Sequence, residues 1–259
     1  MTNEYVCVDI ETTGCKPMEN KIIEIGAVKV KDGKIVDTFS RLIDPECNIP
    51  YYITNLTGIT NDMVKGQDTI DIVLKDFIDF AEGDVIMGHN IMFDYSFLKC
   101  NAMVYNYKLE KRGIDTLKIA RKTMPELESK ALDYLCRYFG ILDENHHRAF
   151  NDAAVTVELY NNLCGKFGAE YKEVFEPQPL VCKIKNKIIR DMKKGNIMRD
   201  VISSSQFTEN VIKEYKKGLG DMVLVAITPR TTIELPAHLT QAEIDARVEI
   251  YKKLHSSKV

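Results

Sequence analysis

The chain has 259 residues, with 35 Lys and Arg against 38 Asp and Glu and a hydrophobic share of 45%. Such a length accommodates one large domain, or one domain with a smaller appendix, and the composition is that of a globular rather than a disordered protein. No apolar stretch approaches the roughly 20 residues of a membrane span, and the opening residues, MTNEYVCVDIETTG, lack the basic and then apolar regions of a signal peptide.

Residues 4–10 (EYVCVDI) form a nearly continuous apolar run, the pattern of a strand covered on both faces. Two β-rich runs, 21–31 and 34–43, flank Asp32-Gly33, a pair that predicts a tight hairpin between antiparallel neighbours. An irregular stretch with Pro50 and Gly58 follows. Apolar residues at helical spacing predict a helix over 69–82, and a short apolar strand over 84–88 leads into a helix near 91–104. Further helices fit 115–123, 130–139 and 149–164. Strands first, then strand and helices in alternation, predict an α/β domain with a mixed sheet.

After Gly168 the periodicity weakens, and EPQP at 176–179 reads as linker. The predicted division is a domain over 1–168, a linker over 169–182 and a basic region over 183–259. Residues 180–259 hold 15 Lys and Arg against 9 Asp and Glu, whereas 1–179 hold 20 against 29. A basic segment at 183–199 suits either a solvated helix or contact with a phosphate backbone. Residues 221–227 fit one strand, and Thr240 with Glu243 forms a capping box for a helix to about Leu254. The seven cysteines are scattered and include no C-x-x-C pair, which excludes a zinc ribbon and predicts reduced thiols in a cytoplasmic protein.

Three acidic islands stand out. Asp9 and Glu11 lie two apart at the end of the first strand, so both carboxylates emerge on one face. Burying two adjacent carboxylates is unfavourable unless a cation neutralises them. Asp94 falls in the first turn of the helix that follows the second such strand, where the helix dipole favours an anion. Asp152 shares the inward face of helix 149–164 with Ala149, Ala153, Thr156, Leu159 and Leu163, and His147 precedes that helix. Carboxylates gathered at strand ends of an α/β sheet form a site for hard cations, Mg²⁺ or Mn²⁺ rather than zinc. Two such ions about 4 Å apart suit in-line phosphodiester hydrolysis, with a histidine to deprotonate the water. Glu24 fits either a structural or a ligand role, and Tyr51 and Tyr52 fit either stacking on a base or packing.

These residues resemble the DEDDh branch of the DnaQ-like 3′–5′ exonucleases. DIETTG at 9–14, IIEIGAVKV at 22–30, LTGIT at 56–60, HNIMFD at 89–94 and HHRAFNDAAVT at 146–156 match its motifs in order over roughly 1–165. The similarity is greatest to polymerase III epsilon subunits and PolC exonuclease segments. It implies an RNase H-like fold, a mixed five-stranded sheet with helices on both faces. It also implies that Asp9, Glu11, Asp94 and Asp152 bind two Mg²⁺ or Mn²⁺ ions and that His147 is the general base. The sister DEDDy branch carries Tyr where this chain has Arg148. Thr12, Thr13, Leu56 and Thr57 match substrate-binding positions. The implied substrate is the 3′ end of single-stranded DNA, with RNA or oligonucleotides as the alternative, and a DNA polymerase subunit is the implied partner. A non-catalytic scaffold is the rival of a different class. The basic region matches no motif, and Gln206-Phe207 lacks the remainder of a sliding-clamp peptide.

Overall fold

The computed structural model describes residues 3–83, 85–142, 148–182, 222–228 and 231–236, together with positions 240, 241 and 245. The chain divides into two compact units, Met1–Arg199 and Asp200–Val259. In the first, β1 (Glu4–Thr12) pairs antiparallel with β2 (Ile22–Lys31), which pairs antiparallel with β3 (Lys34–Leu42). Asp32 and Gly33 link β2 to β3 with φ of 49° and 72°, the left-handed pair that a two-residue hairpin turn requires.

The stretch expected to be irregular contains two short helices, α1 (Tyr51–Thr57) and α2 (Asn61–Val64). α1 stops at Gly58, whose φ of 72° closes the helix in a left-handed cap. Ile53 of α1 and Val64 of α2 join Ile23, Ile49 and Ile59 in a small apolar cluster of their own. Next come α3 (Ile70–Phe80), β4 (Val85–Gly88) and α4 (Met92–Tyr105), close to their expected bounds. β5 (Arg112–Asp115) was not marked by the periodicity. It is followed by α5 (Thr116–Thr123), α6 (Leu132–Phe139) and α7 (Ala149–Phe167).

The sheet order is β3-β2-β1-β4-β5-β6, with β4 parallel to both β1 and β5. The sixth strand, β6 (Gln178–Pro179), adds two residues antiparallel to β5 beyond the five strands expected. It lies in the segment read as linker, where Phe175 and Leu180 are buried. The second unit contains a hairpin of β7 (Met222–Thr228) and β8 (Thr231–Pro236), one strand more than the sequence predicts there. The basic segment 183–199, and the final helix apart from positions 240, 241 and 245, lie outside the described residues. Among the described residues no helix is long and apolar enough to cross a membrane.

β1 organises the core because it is buried on both faces. Val6, Val8 and Ile10 pack into a cluster with Val73, Leu74 and Phe77 of α3 and Phe97 and Leu98 of α4. Tyr5 and Cys7 point the other way, into a cluster with Leu159, Tyr160 and Leu163 of α7 and residues of α5 and α6. This is an α/β sandwich with helices on both faces of a mixed sheet.

Gly26 sets how closely α7 approaches that sheet. A Cβ at Gly26 would stand 2.0 Å from the Phe150 nitrogen and 2.1 Å from the Ala149 carbonyl carbon. Only a residue without a side chain lets the first turn of α7 cross β2 there. Gly26→Ala should therefore lower the unfolding free energy by about 3 kcal/mol, the scale of overpacking a rigid core. Urea denaturation of the variant beside wild type checks this, and an unchanged midpoint would contradict the close crossing.

Candidate active site

Strand parity aims the first two carboxylates. Asp9 and Glu11 continue the series of Tyr5 and Cys7, so they emerge on the α7 face of β1. Asp152 lies in the first turn of α7 on its buried side, flanked by buried Ala149, Ala153 and Thr156. Small neighbours and the Gly26 crossing bring the helix down onto the strand. Carboxylate oxygens of Asp9, Glu11 and Asp152 consequently all lie within 4.8 Å of one another.

Asp94 arrives from the opposite layer. β4 pairs with Val6 and Cys7 of β1 and ends at Gly88, which leaves the β4-facing edge of β1 open beyond that point. Asp94, in the first turn of α4 and 2% exposed, fills the gap by accepting a hydrogen bond from the Ile10 N–H at 3.1 Å. The loop before α4 is fixed by Asp115, whose Oδ1 accepts from Asn90 N–H at 3.0 Å and caps α5 through Leu117 N–H at 3.0 Å. Asn90 itself takes the left-handed conformation, φ 70°, which asparagine tolerates better than most residues.

The electrostatics of the cluster follow from burial and like charge. Burial first, then the charges of Asp94, Glu11 and Asp152, push Asp9 well above the ordinary carboxylate range. Burial, Asp152 and Glu24 push Glu11 up to about 8, against a downward pull from Arg148. Asp94 is also raised by burial, opposed by backbone hydrogen bonds that include the one from Ile10. Carboxyls in such surroundings need protons or cations to coexist. An all-oxygen donor set from several carboxylates is the chemistry that hard divalent cations accept. These residues fit a metal site, and the acidic cluster is able to bind one.

Glu24, whose role was open, is engaged by the start of α7. It is 1% exposed and accepts from Arg148 Nη2 at 2.7 Å and from the Ala149 N–H at 3.0 Å. His89 is held between Thr116 Oγ1 and the Lys130 carbonyl, each at 2.9 Å, and burial lowers its pKa. It belongs to the framework.

The remaining candidates divide. Thr12 and Thr13 are buried beside Glu11; the Thr12 hydroxyl donates to the Gly14 carbonyl at 2.7 Å, and the Thr13 hydroxyl accepts from Lys21 N–H at 2.9 Å. Thr57 is buried and donates to the Ile53 carbonyl at 2.9 Å, whereas Leu56 is 42% exposed. Tyr51 is exposed, and Tyr52 packs on the small cluster around Ile23. His146 and His147 lie outside the described residues. The sequence reading missed Gly26, Asp115 and the Arg148–Glu24 pair. An isolated Gly within a strand and an Asp ahead of a helix were the available signals for the first two.

A family model described as "Exonuclease" (RNase_T) matches residues 6–160, which span β1 to α7 and all four carboxylates. The chain belongs to this exonuclease family. Among curated proteins, the PolC-type DNA polymerase III of Clostridium perfringens is 50% identical over 157 residues, 61% of this chain and 11% of that protein. The PolC-type enzyme of Caldanaerobacter subterraneus is 42% identical over 166 residues, 64% of this chain and 12% of that protein. The chain thus spans about a ninth of these curated relatives. Among solved structures, exonuclease X in complex with 5′ overhanging duplex DNA is 26% identical, with a TM-score of 0.53 over 66% of this chain and 96% of that one. E. coli exonuclease I in complex with a dT13 oligonucleotide shares the fold at 16% identity, with a TM-score of 0.59 over 66% of this chain and 43% of that one. The mixed sheet is accordingly the RNase H-like fold of these exonucleases.

A pH dependence follows from the crowded carboxylates of this exonuclease domain. Glu11 titrates near 8 in the folded chain against an ordinary 4.5, so the folded state holds the extra proton. The stability this contributes is complete below pH 4.5 and is lost as pH rises through 8. In metal-free buffer the melting midpoint should therefore fall from pH 5 to pH 9, and Glu11→Gln should flatten the fall. Added Mn²⁺ should raise the midpoint most at the alkaline end. Thermal melts across this range check it; a metal-free midpoint that climbs with pH would contradict the assigned crowding.

Proposed function

We propose that this domain is a metal-dependent 3′–5′ exonuclease that removes nucleoside 5′-monophosphates from the 3′ ends of single-stranded DNA. The observation that carries the reading is the convergence of Asp9, Glu11 and Asp152 within 4.8 Å, with Asp94 locked beside them through Ile10. In this reading all four carboxylates hold two Mg²⁺ or Mn²⁺ ions, as the hard oxygen donor set favours. Such ions, when bound, polarise a phosphodiester and stabilise the charge that develops on its oxygens.

The chain's own residues supply the rest. Asp94 is oriented by a backbone donor, and Asp152 by the docking of α7, so the ligands are preorganised on rigid elements rather than on loops. His147, one peptide bond ahead of Arg148, is assigned the base that takes a proton from the attacking water on its imidazole. Attack at phosphorus forms the new P–O bond and breaks the bond to the 3′-oxygen of the penultimate nucleotide. That oxygen leaves with a proton as a 3′-hydroxyl, and the terminal unit departs as a 5′-monophosphate. Thr12, Thr13, Leu56 and Thr57 are assigned to the terminal nucleotide. Leu56 offers exposed apolar surface for it, whereas the three threonines contribute mainly by shaping the loop and helix that carry it.

DNA rather than RNA is favoured because the related structures named above were solved with DNA and the curated relatives are DNA polymerases. A role in proofreading or repair, in company with a DNA polymerase, fits the same relatives.

A time course on 5′-labelled single-stranded DNA and RNA of one sequence, with Mg²⁺ or Mn²⁺, tests the reading. The expected result is a ladder shortening from the 3′ end on DNA. Asp9→Ala and Asp152→Ala should each lower turnover at least a thousandfold, and His147→Ala by about a hundredfold or more, as expected for loss of a general base. A ladder on RNA alone would keep the chemistry and reassign the substrate. No ladder on either, with metal bound, would leave a scaffold in place of a nuclease.

A further inference from the structure

Glu24 sits directly across from Glu11 in the β1–β2 register, close enough for its charge to raise Glu11. Its position would suit a fifth ligand of the acidic cluster, yet its carboxylate hydrogen-bonds to the start of α7. Oε1 accepts from Arg148 Nη2 at 2.7 Å and Nε at 3.2 Å, and Oε2 accepts from Arg148 Nε at 3.2 Å and Ala149 N–H at 3.0 Å. One buried carboxylate thus caps the helix and forks onto the arginine that precedes it. Two residues along β2, Gly26 admits the Ala149–Phe150 backbone onto the strand. The Asp152 N–H in turn donates to the Arg148 carbonyl at 3.1 Å, within the same helical turn. A shift of Arg148 is therefore passed to Asp152 with almost no slack.

We propose that Glu24 and Arg148 are positioning residues: their ion pair clamps the first turn of α7 at Gly26 and so sets the spacing of Asp152 from Asp9 and Glu11. The assignment rests on the exonuclease reading of that cluster but concerns how it is built. Two features argue against a purely stabilising pair. The anion is 1% exposed while the guanidinium is 40% exposed, an arrangement in which desolvation consumes much of the attraction. The clamp also lies at the helix end that bears Asp152, 124 residues along the chain from Glu24.

The test uses the full chain with Arg148→Ala, Arg148→Lys and Glu24→Gln, and reads two quantities. Mn²⁺ binding is titrated calorimetrically without DNA, and kcat and KM are measured on single-stranded DNA at saturating Mn²⁺. The clamp predicts that Arg148→Ala weakens Mn²⁺ binding tenfold or more and lowers kcat, with KM within threefold of wild type. Arg148→Lys should recover only part of this, because an ammonium cannot fork across both carboxylate oxygens. Glu24→Gln, which keeps an acceptor for Ala149, should weaken Mn²⁺ binding less than Arg148→Ala. A lowered melting temperature with wild-type Mn²⁺ affinity and kcat would overturn the proposal and leave a structural pair. A rise in KM alone would overturn it in favour of a phosphate contact by Arg148. Should Arg148→Ala fail to fold, the other two variants decide. A wild-type chain that binds Mn²⁺ but cuts no DNA would sink the exonuclease reading, while the Mn²⁺ titrations would still judge the clamp.

Discussion

Like charges brought together out of water are the constraint from which the rest of this domain follows. Asp9, Glu11, Asp94 and Asp152 would separate if the chain allowed it, since neighbouring carboxylate charges, those of Asp94 and Asp152 among them, weigh on Asp9 and Glu11, and Asp94 and Asp152 are themselves buried. No local element could hold them. The opposing force comes from two apolar layers: α3 and α4 on one side of β1, α5, α6 and α7 on the other. Burial of that much apolar surface tolerates a few kcal/mol of repulsion at one end of a strand.

The two layers reach the cluster by different routes. On the α7 side, the pleat of β1 does the aiming, and a glycine removes the side chain that would keep the helix away. On the α4 side, the shortness of β4 matters more than any contact it makes. Had β4 run three residues further, a backbone carbonyl would compete for the Ile10 N–H that now orients Asp94. A truncated strand thus becomes a socket for a side chain, the usual logic by which sites form at strand ends in α/β sheets.

Much of this was legible in the residues themselves. The apolar run of β1, the Asp32-Gly33 turn and the inward face of α7 all follow from period and turn chemistry, and with them the convergence of Asp9, Glu11 and Asp152. Short or composite elements were not legible. β5 is four residues, RGID, with a charge at each end and a glycine inside, so no alternation survives. α1 spans seven residues and depends on Ile23 and Ile49 from elsewhere for its packing. β6 exists only because β5 offers an edge to Gln178 and Pro179. In the site, Glu24 could not be told from a ligand by spacing, because its partner lies in a distant part of the chain and the choice is made by geometry. The three threonines read as substrate contacts are largely engaged by backbone groups of nearby residues, which spacing along the chain does not reveal.

The span between partners has a consequence for when the site comes into being. Ile10 and Asp94 are 84 residues apart in sequence, and Glu24 and Arg148 are 124 apart. Contacts between residues so distant form late, after the loops between them have closed around a core. The β1–β2–β3 meander can assemble early from neighbouring segments, and at that stage it carries only Asp9 and Glu11 of the cluster. A chain emerging from the ribosome therefore holds the full constellation only once α7 has been made and has docked. The acidic cluster is thus complete only in the finished fold, and a truncated or half-folded product lacks it.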